Sequence, residues 1–553
     1  MRRPATLAFV CLGLAYASLA QGIGWNQLAH YSLVRALADG TPVIDKYRNE
    51  TGDVSWHDGH YYAAKAPGLA FATVPAFVFL DVTGLKSAMA KAPGAADETV
   101  GMLWALGLVG CVLPAFAIAL LARRLGDLVE PGFGVLAAVA AGTGTLLLAF
   151  ATLFFSHVLA AALAFAAFAL LWLRGQSPPA AEGQSLAWGQ SQVAGEDKTP
   201  EPGDFVGTVP QTRVSRGSAW GLSLWGFVAG VLAGLAVVAD YPLALAALLV
   251  GLYALTRGWR SGALYAGGAA LGLVPLLAYN LWAFGSVTHL SYEDAVLVGG
   301  ATGHDVLGAN ASGFFGIGEP SFPVAMELLF APVGVLRLTP VVAAAAAGLV
   351  VLYRRGFRAE ALLIGGLALS YLVYNSGYFQ PFGGFVPGPR FLVPILPFLG
   401  VALVSAIRVF PLTTLLLAGI STALMTAVTI TGPLLAFDGR WHVRLFDGWF
   451  GGRHWYVIAP FVVLVVLAAF FAARAARPHL SVREAPAAAA ALAAWALLWR
   501  VSPDRLEGWT VRDAALVAAL ATLGTAAVAV TAYWYPRLRW TSRATPSTRR
   551  SAG

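Results

Sequence analysis

The sequence predicts an all-α, polytopic integral membrane protein with about 13–14 transmembrane helices and a long outer first loop. Composition is the first ground: 58% of the 553 residues are hydrophobic and only 12% are charged. The mean hydropathy is +0.70, far outside the range of ordinary soluble domains. The second ground is the series of apolar runs rich in Ala, Leu, Gly and Val, without the period-2 alternation of a transmembrane barrel. The third is the placement of the positive charge. Arg2 and Arg3, Arg123 and Arg124, Arg257 and Arg260, Arg354 to Arg358, Arg408, Arg474 to Arg483 and the tail from Arg537 each abut an apolar run. That is positive-inside patterning, and it argues against a nucleic-acid partner.

The runs are legible in order. They fall near 5–24, 100–122, 131–151, 153–173, 219–239, 241–256, 262–283, 333–353, 359–377, 391–408, 411–432, 454–473, 484–500 and 513–534. Each is long enough to cross roughly 30 Å of hydrocarbon. A further run at 66–85 holds Pro67, Pro75, Gly68, Gly84 and Asp81, which suit a kinked or re-entrant segment. Walking back from the tail with basic loops inside, segments 284–332, 378–390, 433–453 and 501–512 fall outside. The segment 25–65 also falls outside if 66–85 does not cross; counting 66–85 as a span and removing another run is the rival reading. Residues 1–20 also resemble a signal peptide ending in Ala-Ser-Leu-Ala, and a retained first helix is the alternative we favour. The expected location is the plasma (inner) membrane, multi-pass.

Between Arg174 and Ser218 the composition turns to Gly, Gln, Pro, Glu and Asp without periodicity, so 175–218 reads as a disordered cytoplasmic loop. Residues 537–553 form a basic cytoplasmic tail. Cys11 and Cys111 both lie in apolar runs, which excludes a disulfide framework. There is no P-loop, dinucleotide fingerprint or H-E-x-x-H zinc motif.

Three outward segments gather the polar chemistry. The island 25–65 carries Asp39, Asp45, Glu50, Asp53, Asp58, His30, His57 and His60, and ends at Lys65. The segment 284–332 carries His289, Glu293, Asp294, His304 and Asp305. The third, Tyr371 to Arg390, is an aromatic and Pro/Gly-rich lip closed by a cation. Carboxylates, cations and aromatics on one membrane face can activate a hydroxyl, hold a phosphate and stack on a sugar. Each has a plainer reading: Asp53 and Asp58 as turn formers, Lys65 as a snorkelling cation, Arg390 as an interfacial anchor. His57-Asp-Gly-His60 offers two imidazoles but specifies no third metal ligand. Asp240, before Tyr241-Pro242, reads as a helix break.

The order of these elements resembles a known family. One N-terminal helix, a long outer loop ending in Tyr61-Tyr62-x-x-Lys65-Ala-Pro67-Gly68, and then many helices look like the GT-C membrane glycosyltransferases. The likeness is to the protein O-mannosyltransferase and aminoarabinose-transferase group and its RgtA/B/C/D-like bacterial relatives. Asp45-Lys-Tyr47, Thr51-Gly-Asp53 and Gly388-Pro-Arg390-Phe-Leu-Val-Pro394-Ile-Leu-Pro397 match short patterns of the same group, as does Phe315-Gly-Ile-Gly318 through Thr339-Pro340. The likeness covers about residues 5 to 400, which would make 1–400 a GT-C-like core and 401–536 additional helices.

The resemblance implies sugar transfer from a polyprenyl-phosphate donor to an acceptor at the outer face, with no cofactor and no divalent metal. Lys65 and Arg390 would bind the donor phosphate. Asp53 is the first choice as base, then Asp45 and Asp58; Asn26, His30, Tyr31, His60 and Tyr61 are candidate substrate contacts. One departure stands out. Asn26 and Gln27 occupy the place of the family's Asp-Glu pair, so the base has moved, or the chain binds a lipid-sugar without this chemistry, or the alignment is wrong. Membrane lipids surround the chain in any case, and the acceptor is unspecified. The alternatives are a transporter or flippase of lipid-linked glycans, or an inactive scaffold. A transporter would more often place charge near the bilayer midplane in paired halves, whereas here the spans are nearly free of it.

Overall fold

The computed structural model describes residues 2–175, 216–296 and 316–533. The expected linker (apart from its ends), His304, Asp305 and the tail 537–553 lie outside the described residues. Every apolar run read from hydropathy overlaps helix, but the run 5–24 is helical only to Ala17, 131–151 is split between Gly134–Gly144 and Leu147–Ala151, and 333–353 is broken between Leu338 and Val341. In chain order these are α1 (Arg2–Ala17), α2 (Trp25–Ala38), α3 (Gly68–Val82), α4 (Glu98–Val129), α5 (Gly134–Gly144), α6 (Leu147–Ala151), α7 (Ser156–Gly175), α8 (Arg216–Ala239), α9 (Leu243–Leu255) and α10 (Trp259–Phe284). After the loop that follows α10 come α11 (Phe322–Leu338), α12 (Val341–Arg354), α13 (Arg358–Ser376), α14 (Arg390–Val409), α15 (Pro411–Ile430), α16 (Trp455–Ala476), α17 (Ala485–Val501) and α18 (Val511–Tyr533).

Among the described residues, seven helices are long and apolar enough to cross a membrane, or up to nine if each bent pair is one span, with shorter apolar helices beside them. One bent pair is α3 with Leu85–Lys91, which turns by 101°. The sequence puts prolines and glycines in that run, and the turn falls at Gly84, whose φ of +72° is the left-handed geometry that glycine adopts without strain. Pro75 stays inside α3. The other bent pair is α11 with α12, at 87°.

Small residues bring the helices together, as lipid-embedded packing requires. Gly226, Gly230 and Gly234 of α8 press against Ser261, Tyr265 and Gly272 of α10 in turn, and Gly268 of α10 against Phe227 of α8; a methyl on Gly230 would sit 2.0 Å from the Tyr265 carbonyl oxygen. That contact holds the end of α8, and hence Asp240, in one place. Basic side chains cluster at the far ends of the helices. Arg355 and Arg408 both meet Glu130 just past α4, and Arg257 pairs with Glu360 at the start of α13.

The first loop is not wholly irregular. Its strands β1 (Val54–His57) and β2 (His60–Ala63) form an antiparallel hairpin, joined by β3 (Ala295–Val296) in the order β2-β1-β3. Asp58-Gly59 forms the two-residue turn, with φ of +46° and +86°, the geometry such a hairpin demands. The hairpin carries the chain from the island surface down to Lys65.

Candidate active site

Lys65 ends the hairpin and begins the descent into α3. A Cβ on Gly68 would lie 2.6 Å from the Ala239 backbone, so only glycine lets this segment press against the end of α8. The Lys65 carbonyl accepts from Ser291 Oγ at 3.0 Å, and Ser291 Oγ also lies 3.2 Å from the Tyr241 hydroxyl. Ser55 Oγ donates to the Ser291 carbonyl. First loop, α8–α9 turn and the loop after α10 are thereby tied around one residue.

The Lys65 side chain is buried and its ammonium lies 2.8 Å from Asp53 Oδ2. It also sits over the Tyr292 ring at 5.6 Å. Asp53 is placed by local chemistry: its N–H donates to Thr51 Oγ1, which donates to the Trp25 carbonyl, while the Asp53 carbonyl accepts from Ala64. Burial lowers the Lys65 pKa, Asp53 opposes that shift, and the Arg390 charge adds to it. Arg390 is therefore near enough to be felt at Lys65. Its side chain passes under Gly383, where a Cβ would stand 2.3 Å from Nε, and its Nε is buried without a hydrogen bond.

His30 closes the cluster from α2. Burial holds its pKa well below 6.5, and Lys65, His157 and Arg390 act in the same direction while Asp53 opposes. The imidazole is neutral, and both ring nitrogens are buried without a hydrogen-bond partner. One turn earlier on the same helix, Asn26 Oδ1 is likewise buried and unpartnered. Buried polar atoms normally find partners, so unpartnered ones beside a lysine and an arginine make this the candidate place for a polar ligand.

Below lie His157, at the start of α7, and Asp240, between α8 and α9. Their side chains are hydrogen-bonded to each other, His157 Nδ1 to Asp240 Oδ2, among Phe150, Phe155 and Phe391. Asp240 is felt at Lys65, Tyr292 and Tyr378. Tyr378 belongs to the aromatic lip, stacked on Tyr374 at 5.8 Å and edge-on to Phe391 at 5.1 Å. Burial pushes the Tyr292 and Tyr378 hydroxyls up, so both stay protonated donors.

The structure thus brings Asp53, Lys65, Arg390 and His30 together, with Asn26 one turn before His30 on α2. It places the other candidates elsewhere. Asp45 stands at the rim, accepting from the Tyr61 N–H at 2.6 Å and lying 2.7 Å from His60 Nδ1. Tyr61 packs on Trp56, and its hydroxyl accepts from Arg48. Asp58 is the exposed corner of the hairpin turn. Tyr31 faces Phe77 and Arg35 rather than the cluster. Gln27 is explained locally: its Oε1 accepts from the Gly24 N–H at 2.7 Å and caps α2.

The sequence does not single out His157, Ser291 or Tyr292, and it offers Asp240 chiefly as a helix break, with a site role as the lesser alternative. The available signal was an ionisable residue at the end of an apolar run, as in Phe155-Ser-His157. A separate grouping of His57, His289 and Asp294 forms where the hairpin meets the loop after α10. An apolar cleft of about 240 Å³ lies apart from this chemistry, between α12, α15, α17 and α18.

No protein-family model and no curated protein matches the chain. Among solved structures it is similar to ArnT from Cupriavidus metallidurans bound to undecaprenyl phosphate, with a TM-score of 0.47 and 16% identity over 96% of this chain and 76% of that one. It is also similar to the apo oligosaccharyltransferase of Archaeoglobus fulgidus, with a TM-score of 0.40 and 14% identity over 94% of this chain and 64% of that one. A third similar structure is AglB from the same organism with an inhibitory peptide and a dolichol-phosphate, at a TM-score of 0.40 and 13% identity over 92% of this chain and 60% of that one. The chain thus spans less than two thirds of the oligosaccharyltransferase.

Proposed function

We propose that the chain is a GT-C-type glycosyltransferase that takes a sugar from a polyprenyl-phosphate donor and gives it to a hydroxyl acceptor at the outer face of the membrane. The observation that carries this reading is the buried Lys65–Asp53 pair beside Arg390, at the non-basic ends of the helices. Two cations held there suit a lipid-linked phosphate, whose charge must stay at the interface while its chain lies among helices.

In this reading the donor phosphate takes Lys65 from Asp53 and adds Arg390. The freed Asp53 carboxylate then accepts the acceptor hydroxyl's proton. The acceptor oxygen attacks the anomeric carbon as the carbon–oxygen bond to phosphate breaks, and the electron pair leaves with the polyprenyl phosphate. Lys65 and Arg390 neutralise the growing charge. Attack from the face opposite the phosphate inverts the anomeric centre. His30, neutral and unpartnered, is available to hydrogen-bond a sugar hydroxyl, and the Tyr374–Tyr378 stack offers a face to the ring.

The test is transfer from radiolabelled polyprenyl-phosphate hexoses to a membrane extract by the purified protein in lipid. Wild type is expected to transfer label, and Asp53→Asn and Lys65→Ala are expected to fail. Equal transfer by all three proteins sinks the site assignment. Absence of both transfer and donor binding favours transport of a lipid-linked glycan.

A further inference from the structure

The loop after α10 does more than supply Ser291. It returns to the hairpin as β3, where Ser55 pairs with Ala295 and Val54 with Val296, and the Trp56 N–H donates to the Asp294 carbonyl at 2.9 Å. This register sets three side chains from distant parts of the chain against one another. Asp294 Oδ2 lies 2.8 Å from His57 Nδ1 and 3.0 Å from His289 Nε2. The three candidate donor atoms all fall within 4.8 Å of one another.

We propose that His57, His289 and Asp294 bind a zinc ion that clasps the first outer loop to the loop after α10. Two imidazoles and a carboxylate are a common zinc donor set, with a water completing the tetrahedron. Bonds of about 2.0–2.2 Å to such ligands place neighbouring donors a little over three ångströms apart. The contacts at Asp294 Oδ2 therefore need to open by only a few tenths of an ångström.

Three features favour a metal over a plain hydrogen-bond network. First, both imidazoles turn a nitrogen toward the same carboxylate oxygen. His289 Nε2 is buried and makes no hydrogen bond despite its closeness to Asp294, the geometry of a lone pair aimed at a shared centre. Second, each ring's other nitrogen faces a second carboxylate: His289 Nδ1 lies 3.4 Å from Glu293 Oε2, and His57 Nε2 lies 3.6 Å from Asp58 Oδ2. A carboxylate behind a metal-bound histidine fixes its tautomer and raises its basicity. Third, the rings are packed in place, 4.6 Å apart at their centroids, with Phe284 at 5.5 Å from His57 and 4.7 Å from His289.

The role is structural. Tyr62 also packs on Phe284, at 4.9 Å, on the strand that leads to Lys65. Tying His57 to His289 and Asp294 would thus hold the hairpin in the register that presents Lys65 and Asp53. The inference rests on loop geometry alone and stands or falls separately from the proposed reaction.

Metal binding is read directly on the full-length protein, purified in detergent, stripped with a chelator and dialysed against zinc or cobalt(II). The expected result is one zinc per chain and, with cobalt(II), the intense visible absorption of a tetrahedral site. Zinc but not magnesium is expected to raise the melting temperature. His289→Ala and Asp294→Asn are expected to lose the metal and the zinc-dependent shift, and His454→Ala to keep both. A zinc content at background in the wild type overturns the proposal. So does zinc retained in full by both variants. If a variant fails to fold, wild-type stoichiometry and the cobalt(II) spectrum still decide, since octahedral or absent absorption contradicts the site.

Discussion

The loop between α1 and α3 holds two acid–base pairs of similar composition, and they live in different physical worlds. At the rim, Asp45 meets His60 at 2.7 Å with both side chains about half exposed. At the floor, Asp53 meets Lys65 at 2.8 Å with the lysine side chain 5% exposed. In water the rim pair gains little, because solvent and salt screen it and ordering two side chains costs entropy. The floor pair is screened far less, with the Asp53 side chain 27% exposed. Its lysine carries a desolvation cost that Asp53 offsets only in part, and neighbouring His30, Asn26 and Arg390 keep unpartnered atoms. The floor is set apart as the candidate site by polar groups the protein leaves unsatisfied, more than by the charges it displays.

This contrast is open to attack at several points. The largest expected effect is at the floor: Asp53→Asn should lower transfer by about 10² to 10⁴, the usual worth of a positioned base, and Lys65→Ala should lower it through the lost phosphate contact. Light-scattering and thermal melts should show both variants folded. Next comes Gly68→Val, which drives a side chain into the Ala239 backbone and should reduce folded yield on size exclusion. Arg390→Lys keeps the charge but loses the planar fork, and should cost about 10- to 100-fold in donor binding, in line with a lost charge-assisted hydrogen bond.

Acidification probes the same floor more gently. The folded His30 pKa is depressed below 6.5, so the unfolded chain binds a proton that the folded chain refuses. Stability is therefore fully present above pH 6.5 and declines as pH falls below it. Melts at pH 7.5 and 5 should show this loss, and His30→Phe should shrink it. The smallest effect belongs to the rim: Asp45→Asn should change transfer by less than about threefold, as expected of a solvated pair. A large loss there would erase the distinction between the two pairs.

Much of the molecule was legible in the amino acids. Hydropathy located the helices because a segment in lipid must satisfy its own backbone, and the Pro/Gly-rich run at 66–85 announced its bend. Lys65 and Arg390 were visible as cations where apolar helices begin. The small sheet was harder to see, because β3 is two residues from a distant loop and its pairing is non-local. His57 showed no third ligand in its own loop for the same reason: His289 and Asp294 arrive from more than two hundred residues away.

By itself the sequence determined the solvent of this protein, the approximate positions of its apolar helices and the set of polar groups gathered between them. Those are local or compositional properties, governed by the free energy of moving side chains and peptide groups into hydrocarbon. Only the tertiary structure decided which carboxylate meets Lys65, which histidines share Asp294, and that Asp240 and His157 underlie the site. Such choices depend on the close approach of helices along their glycine faces and on a strand register, and no single segment encodes either.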